Sequence, residues 1–541
     1  MSGEVEDSRE LKRILDLPWR APLRLDVEEL SDFLGSDGSM TLRPIQAATL
    51  VQLYENYGCF ASIPVSGGKT LISYLAPRIM EAKHPIILVP AKLREKTKRD
   101  FRSLEKVWGP VQGLTDRLDE AIVSYWDLSN RVGILDDRNP DLLVADEVHR
   151  LKSRNAACTQ RFLWWRENNM EVPLCLMSGT VTSRSLMDFN HLLEAVLGRR
   201  RMPLPASSLE CVRWARAVDE KVEIRCAPGA LRAFLPRLEQ PPKIKDYRRA
   251  VGDRIFDSEG VIRQFAVDVS ASICLEIIRP RLPTAVRTLM QEMERTKLDV
   301  NGDPLTASDI WRHRKTFALG FHHQWVEPGP EPWLKARRSY LKQVREISEL
   351  QIRELDTEKR IRVAIERGDF PSKRLERWLD IKNTFKPKTI AVWHTETIVD
   401  DIINRARRMG NVWIWVEHQR FAAKLVEKTG WPYFHNNGFC GKQYVEDHRC
   451  GPAIVSIKAC REGLNLQHFN KNIVTYVDPM GEVWEQKIGR THRTGQEADV
   501  VEFIVYASYQ GDDFAQALAD AKYQQETTRQ PKKLLMADII Q

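Results

Sequence analysis

A chain of 541 residues is too long for one ordinary core, and at about 150 residues per domain it divides into roughly three folded units. With 43% hydrophobic and 29% charged residues it has the composition of a soluble globular protein, which excludes a largely disordered chain. Its nine cysteines are scattered and include no Cys-x-x-Cys pair, which excludes a disulfide framework and fits a reducing compartment. No apolar run approaches the roughly 18 residues of a membrane span, and the acidic amino terminus lacks a signal-peptide layout. A soluble chain that stays in the cytoplasm, with no membrane partner, is expected. Formal net charge is +8, and residues 335–382 alone hold 14 Lys and Arg against 9 Asp and Glu. Such a local excess suits a polyanion such as DNA or RNA through counterion release, while mixed charge on a helix equally describes a solvated face.

In chain order, residues 1–39 read as an amino-terminal extension. Over 40–200, short apolar β-rich runs at 60–65, 85–89, 121–124, 141–145 and 174–177 alternate with helical stretches, the rhythm of a parallel α/β sheet. Residues 201–387 read as a linker and helical insertion. This region holds a proline-rich stretch (Pro236, Pro241, Pro242), a candidate helix over 283–297, and a charged segment over 333–385. In that segment Leu341, Val344, Ile347, Leu350 and Leu355 recur at helical spacing, and 368–371 breaks it into two helices. The α/β rhythm returns over 388–510, with runs at 389–392, 412–416, 453–457, 473–477 and 500–505, and residues 511–541 close the chain as a helix and tail. The expected fold class is α/β, two lobes with parallel sheets joined by a mainly helical insertion.

The first lobe carries a phosphate-site pattern. Phe60-Ala-Ser-Ile-Pro-Val-Ser66-Gly67-Gly68-Lys69-Thr70 passes from strand through a glycine turn into a helix start. Glycines let backbone N–H groups close round phosphate oxygens at the positive end of the helix; Lys69 adds charge, and the Thr70 hydroxyl can ligate Mg²⁺. The pattern is shortened, since the first glycine of GxxxxGK[ST] would fall at Ile63, and a plain turn is the competing reading. About 75 residues on, Asp141-Leu-Leu-Val-Ala-Asp146-Glu147-Val-His149 sets two carboxylates just beyond an apolar strand. Asp146 suits holding the Mg²⁺ and Glu147 suits polarising an attacking water, against a structural reading in which both cap the next helix. His149 either bonds across the nucleotide cleft or is ordinary surface. Elsewhere, Trp413 and Trp415 alternate on a strand, which fits core packing better than base stacking, and the spacing of His435, Cys440, His448 and Cys450 matches no zinc pattern.

The order of these segments resembles the superfamily two helicases, within them the Swi/Snf-like branch with its DExH box at 146–149. Leu42-Arg43-Pro44-Ile45-Gln46 looks like the family's adenine-reading segment. Ile87-Leu-Val-Pro90-Ala-Lys92 and Ile122-Val-Ser-Tyr125 look like strand ends that touch nucleic acid, and Met177-Ser178-Gly179-Thr180 is similar to the coupling motif. In the second lobe, Ser456-Ile-Lys458-Ala-Cys-Arg-Glu-Gly463-Leu-Asn465-Leu-Gln467, then Val477-Asp478-Pro479 and Gln486-Lys-Ile-Gly-Arg490-Thr-His-Arg493-Thr-Gly-Gln496, follow the family order. The stretch 317–325 with Trp333 resembles compact bacteriophage-encoded helicases. Ser66 stands where the family usually has glycine.

The resemblance implies two RecA-like P-loop lobes and an ATPase using ATP and Mg²⁺. Lys69, Asp146, Glu147, Arg490 and Arg493 would be catalytic, with Mg²⁺ at Thr70 and Asp146. Nucleotide would be bound by Leu42, Arg43, Gln46, Ser66, Gly67, Gly68, Lys69 and Thr70, and by Gly463, Asn465 and Gln486. Nucleic acid, DNA in the first place with RNA as the alternative, would meet Lys92, Tyr125, Ser456 and Lys458. A monomeric DNA-stimulated translocase or helicase is the leading expectation. The alternatives are a non-catalytic nucleic-acid-binding scaffold, or a remodeller of DNA-bound protein that reaches its partner through the helical insertion.

Overall fold

The computed structural model describes residues 3–540 except 24, 183, 221, 223, 238, 239, 265–268, 353, 354, 356, 437 and 462. Two large sheets organise it. The first contains β1 (Gly58–Ser62), β2 (Pro85–Val89), β3 (Ile122–Ser124), β4 (Leu142–Asp146), β5 (Leu174–Ser178) and β6 (Val261–Arg263). Their order is β3-β2-β4-β5-β1-β6 and every pairing is parallel. Side chains on successive residues enter separate cores. Phe60, Leu88, Leu143 and Leu176 belong to one, and Ala61, Ile87, Val144 and Met177 to the other. Helices therefore cover both faces, which is why these strands read as unbroken apolar runs.

Further along the chain lie β7 (Ser272–Ile278), β8 (Phe321–Trp325), β9 (Thr389–Trp393), β10 (Trp413–Val416), β11 (Tyr433–Phe434), β12 (Phe439–Cys440), β13 (Gln443–Tyr444), β14 (Ala453–Ser456), β15 (Lys471–Val474), β16 (Val500–Tyr506) and β17 (Asp538–Ile540). Seven of them form the second sheet in the order β11-β14-β10-β15-β16-β7-β17, again all parallel. The fold is α/β with two parallel sheets, consistent with two RecA-like lobes. Trp413 and Trp415 are fully buried in it, their indole N–H groups donating to the Leu466 carbonyl and to Asn472 Oδ1, each at 3.0 Å.

The sheets divide the chain differently from the sequence reading at three places. The region 201–387 is not a single insertion. Its β6 extends the first sheet beside β1, and its β7 pairs along its whole length with β16 in the second. The run expected at 389–392 does not join the second sheet; β9 pairs antiparallel with β8 in a separate two-stranded ribbon, with Thr389 and Ile390 exposed. The charged segment forms three helices, Glu331–Ser348, Glu358–Glu366 and Lys373–Ile381, rather than two. Helical spacing ends at Ser348, which leaves Leu350 exposed, and Tyr340, Val344, Ile361, Ile365 and Leu375 close a small core of their own.

The tail is also more than an appendage. Helix Gly511–Thr528 is wedged between helices Ile244–Phe256 and Gly481–Thr491. A Cβ on Gly252 would lie 2.0 Å from the Thr527 carbonyl oxygen, and one on Gly481 would lie 2.8 Å from the Ala521 nitrogen. The chain then returns to the second sheet as β17 beside β7. Among the described residues no helix is long and apolar enough to cross a membrane.

Candidate functional site

The turn after β1 leads directly into helix Lys69–Ile79, and its backbone dictates its residues. Ser66 and Gly68 have φ of 77° and 81°, in the left-handed region. A Cβ on Gly67 would meet Ile63 Cγ2 at 2.3 Å, and one on Gly68 would meet Gln46 Nε2 at 2.0 Å, so both positions exclude larger residues. Ser66 bears its left-handed backbone at a cost of roughly 1–2 kcal/mol, and Arg43 Nη1 donates to its carbonyl at 2.9 Å. Serine is thereby accommodated at a position where the sequence resemblance leads one to expect glycine. Gln46 ties the adjoining segment to the loop, accepting from the Arg43 N–H at 2.7 Å and donating to the Gly68 carbonyl at 3.2 Å. Leu42, by contrast, is buried in the apolar core behind it.

Lys69 is buried. Its Nζ lies 3.4 Å from Glu147 Oε1 and donates to the Ile63 carbonyl at 3.3 Å. Asp146 ends β4, and Glu147 follows with φ 55°, a strained conformation for a side-chain-bearing residue that aims its carboxylate back at Lys69. Burial and the neighbouring Glu147 carboxylate push Asp146 up to about 6, against the pull of Lys69. Burial also opposes charge on Glu147, but Lys69, His149 and Arg490 outweigh it and hold Glu147 below the usual carboxylate range. Neither acid serves as a helix cap: Asp146 Oδ1 accepts only its neighbour's N–H, and no side chain caps the following turn.

His149 resolves the choice the sequence left open. It is 5% exposed, its Nδ1 lies 3.1 Å from Ser178 Oγ and 3.2 Å from Glu147 Oε2, and its Nε2 is 3.6 Å from Glu482 Oε1 in the second lobe. Lys152 reaches the same Glu482 at 3.1 Å.

From the second lobe, helix Gly481–Thr491 presents Gln486 and Arg490 to the cleft, with Arg493 just beyond its end. Arg490 Nη1 and Arg493 Nη1 both donate to the Leu464 carbonyl, at 3.1 and 3.2 Å, and Arg493 also bonds Asn465 Oδ1. Gly463 has φ 74°, and a Cβ there would lie 2.1 Å from Leu93 Cδ2 of the first lobe. Arg43 Nη2 spans the lobes to Thr494 Oγ1 at 3.3 Å. The resulting cleft, of about 660 Å³, is lined by Lys69, Thr70, Asp146 and Glu147 from one lobe and by Gly463, Asn465, Gln486, Arg490 and Arg493 from the other.

The donor set fits a nucleoside triphosphate with Mg²⁺. Two tight glycines border the first turn of a helix, a lysine and two arginines bring positive charge, and a hydroxyl and a carboxylate stand by at Thr70 and Asp146. Among the described residues, Ser66 Oγ and Arg493 Nε, both on residues lining the cleft, are buried atoms without a hydrogen-bond partner.

The residues expected to meet nucleic acid separate into two groups. Lys92, in the turn after β2, donates to the Lys458 carbonyl at 2.6 Å, so the two lysines and Ser456 at the end of β14 come together across the lobes. Tyr125 does not join them. It is 6% exposed and its hydroxyl donates to the Asp146 carbonyl at 2.7 Å, so it braces the acidic strand end. Sequence spacing gives no signal for Glu482 or Lys152; Glu482 meets both His149 and Lys152 across the lobes.

No family model matches the chain. Curated relatives include two proteins described as ATP-dependent DNA helicase Hel308. The chain is 30% identical to that of Pyrococcus horikoshii over 158 residues, covering 26% of this chain and 22% of the relative. It is 29% identical to that of Pyrococcus abyssi over 153 residues, covering 25% and 21%. The chain thus matches only about a fifth of the length of either relative. The likeness is therefore to a part of proteins described as DNA helicases, over about a quarter of this chain.

Proposed function

We propose that this chain is an ATP-dependent motor of the DExH-box, Swi/Snf-like kind that moves along DNA, with or without separating its strands. One observation carries the reading: Lys69 and Glu147 from the first lobe and Arg490 and Arg493 from the second line a single cleft. A phosphate loop alone binds nucleotide; arginines brought from a second lobe make hydrolysis depend on how the lobes meet. The names of the Pyrococcus relatives agree with DNA as the polymer.

In this reading the glycine turn and the first helical N–H groups hold the phosphates, and Lys69 neutralises the outer ones. Thr70 and Asp146 would hold Mg²⁺, which supplies charge neutralisation on the phosphates. Glu147 orients the attacking water, with its carboxylate fixed by Lys69 and His149. Arg490 and Arg493 stabilise charge developing in the transition state, a contribution worth about 10³ to 10⁵ in rate in related ATPases. Closure of the lobes then follows nucleotide, and reopening follows its loss. Lys92, Ser456 and Lys458 grip one strand from both lobes, so each cycle advances the protein. Ser66 gives no reason to prefer a non-catalytic scaffold, because its carbonyl is held by Arg43 and its backbone keeps the glycine-like conformation.

The test is steady-state ATP hydrolysis with Mg²⁺, with and without single- and double-stranded DNA and RNA. Stimulation by DNA is expected, and hydrolysis indifferent to every polynucleotide overturns the motor reading.

A further inference from the structure

The carboxyl-terminal segment after helix Gly511–Thr528 carries two adjacent lysines that bond to opposite lobes. Lys532 Nζ donates at 3.2 Å to the carbonyl of Gly179, just past β5, and Lys533 Nζ donates to the carbonyl of His492, between Arg490 and Arg493. Each is 2% exposed. Among the described residues neither has a carboxylate within salt-bridge distance, although Glu485 is near enough to favour their charged forms. Burial pulls Lys533 down to about 8, a sign that the site disfavours the ammonium. A buried cation without a close ion pair is expensive, and an apolar side chain of the same length would fill the space at lower cost.

The two carbonyls lie beside the catalytic groups. Gly179 follows Ser178, whose hydroxyl contacts His149, and His149 contacts Glu147. His492 ends the helix that bears Arg490. Neighbouring bonds fix the segment itself. Gln530 donates to the Ser62 carbonyl of β1, the Leu534 N–H donates to Glu485 at 3.0 Å, and β17 then pairs with β7. Upstream, Arg184 binds Asp520 at 2.9 Å and Tyr523 donates to Asp219 at 2.6 Å, so the helix leading in is also held by the first lobe.

We infer that Lys532 and Lys533 are positioning residues for ATP hydrolysis, a tie that sets the place of the arginine-bearing helix relative to Glu147 and Lys69. The inference rests on the proposed ATPase reading for its chemistry. Neither lysine lines the nucleotide cleft, and Lys533 borders only the back of the phosphate loop, in a small cavity with Val65, Ser66 and Gly67; each acts through the backbone carbonyl it holds. Losing either bond leaves both halves of the cleft intact but loosens their alignment, which matters only when the arginines must reach the reacting phosphate.

The experiment compares wild type, Lys532→Met, Lys533→Met, the double methionine variant and the corresponding arginine variants. Methionine keeps length and removes the charged donor; arginine restores donors. For the methionine variants kcat is expected to fall about tenfold or more, with KM for ATP within about twofold and the thermal midpoint unchanged or raised. Arginine at either position should recover part of kcat. Small-angle X-ray scattering of the same proteins without nucleotide gives a readout independent of activity: the double methionine variant is expected to show a larger radius of gyration. Wild-type kcat together with an unchanged radius overturns the tie. So does a parallel loss of kcat and thermal midpoint with no recovery by arginine, which marks the lysines as general fold support. If wild type itself hydrolyses no ATP, the ATPase reading fails, and the scattering comparison still decides whether the lysines join the lobes.

Discussion

Replacing Arg493 by alanine separates a catalytic arginine from a structural one, and the geometry gives both magnitudes. The side chain donates to the Leu464 carbonyl and to Asn465 Oδ1. The Leu464 carbonyl keeps its second donor, Arg490 Nη1, so it is not left unsatisfied. Asn465 lies at the exposed rim, where water replaces the lost partner. The stability cost is therefore about 1 kcal/mol, in the range of a single net hydrogen bond. A transition-state arginine is worth about 10³ to 10⁵ in rate, or roughly 4–7 kcal/mol. The catalytic loss exceeds the structural one severalfold. Single-turnover hydrolysis, equilibrium ATP binding and thermal melting of the Arg493→Ala protein measure the three quantities. Hydrolysis should be abolished to within detection while binding and melting stay near wild type. A rate within fivefold of wild type, or a collapse of folding and binding together, refutes the assignment.

Three further outcomes follow from the same geometry. Glu147→Gln should slow hydrolysis by about 10² to 10⁴ while ATP still binds, because Lys69 loses its anionic neighbour but stays in the cleft; quench-flow and filter binding read the two effects. Gly68→Ala should weaken ATP binding at least tenfold in a folded protein, since a Cβ at φ 81° lies 2.0 Å from Gln46 Nε2, and calorimetric titration reports it. Trp413→Ala should lower unfolding free energy by about 3–5 kcal/mol in denaturant titration, through loss of a fully buried indole and its bond to Leu466.

The sequence made the cleft legible where function restricts residue type over a short span. Gly68-Lys69-Thr70, Asp146-Glu147, Arg490 and Arg493 stand out within a few positions of one another in each motif, and these residues line one cavity. Sheet membership was legible only as far as periodicity reaches. An apolar run states that a strand exists, not which edge it joins, so the run at 389–392 reads as part of the second sheet although β9 pairs with β8, while β6 and β7 are not legible as strands at all because their partners lie about two hundred residues away. Tyr125 shows the limit for single residues. Its position after a strand end suggested a ligand contact, but its ring is buried and its hydroxyl serves Asp146. His149 shows the reverse, an ambiguous residue given a role by Ser178, Glu147 and Glu482 converging on it from three elements.

In the proposed reading, hydrolysis shared between the two lobes drives movement along DNA. The most direct measurement is displacement of a triplex-forming third strand from duplex DNA, which reports translocation whether or not the duplex is opened. Release that requires ATP and Mg²⁺ and disappears in Glu147→Gln and Arg493→Ala is the expected result. DNA-stimulated hydrolysis by wild type without any release of the third strand contradicts the account.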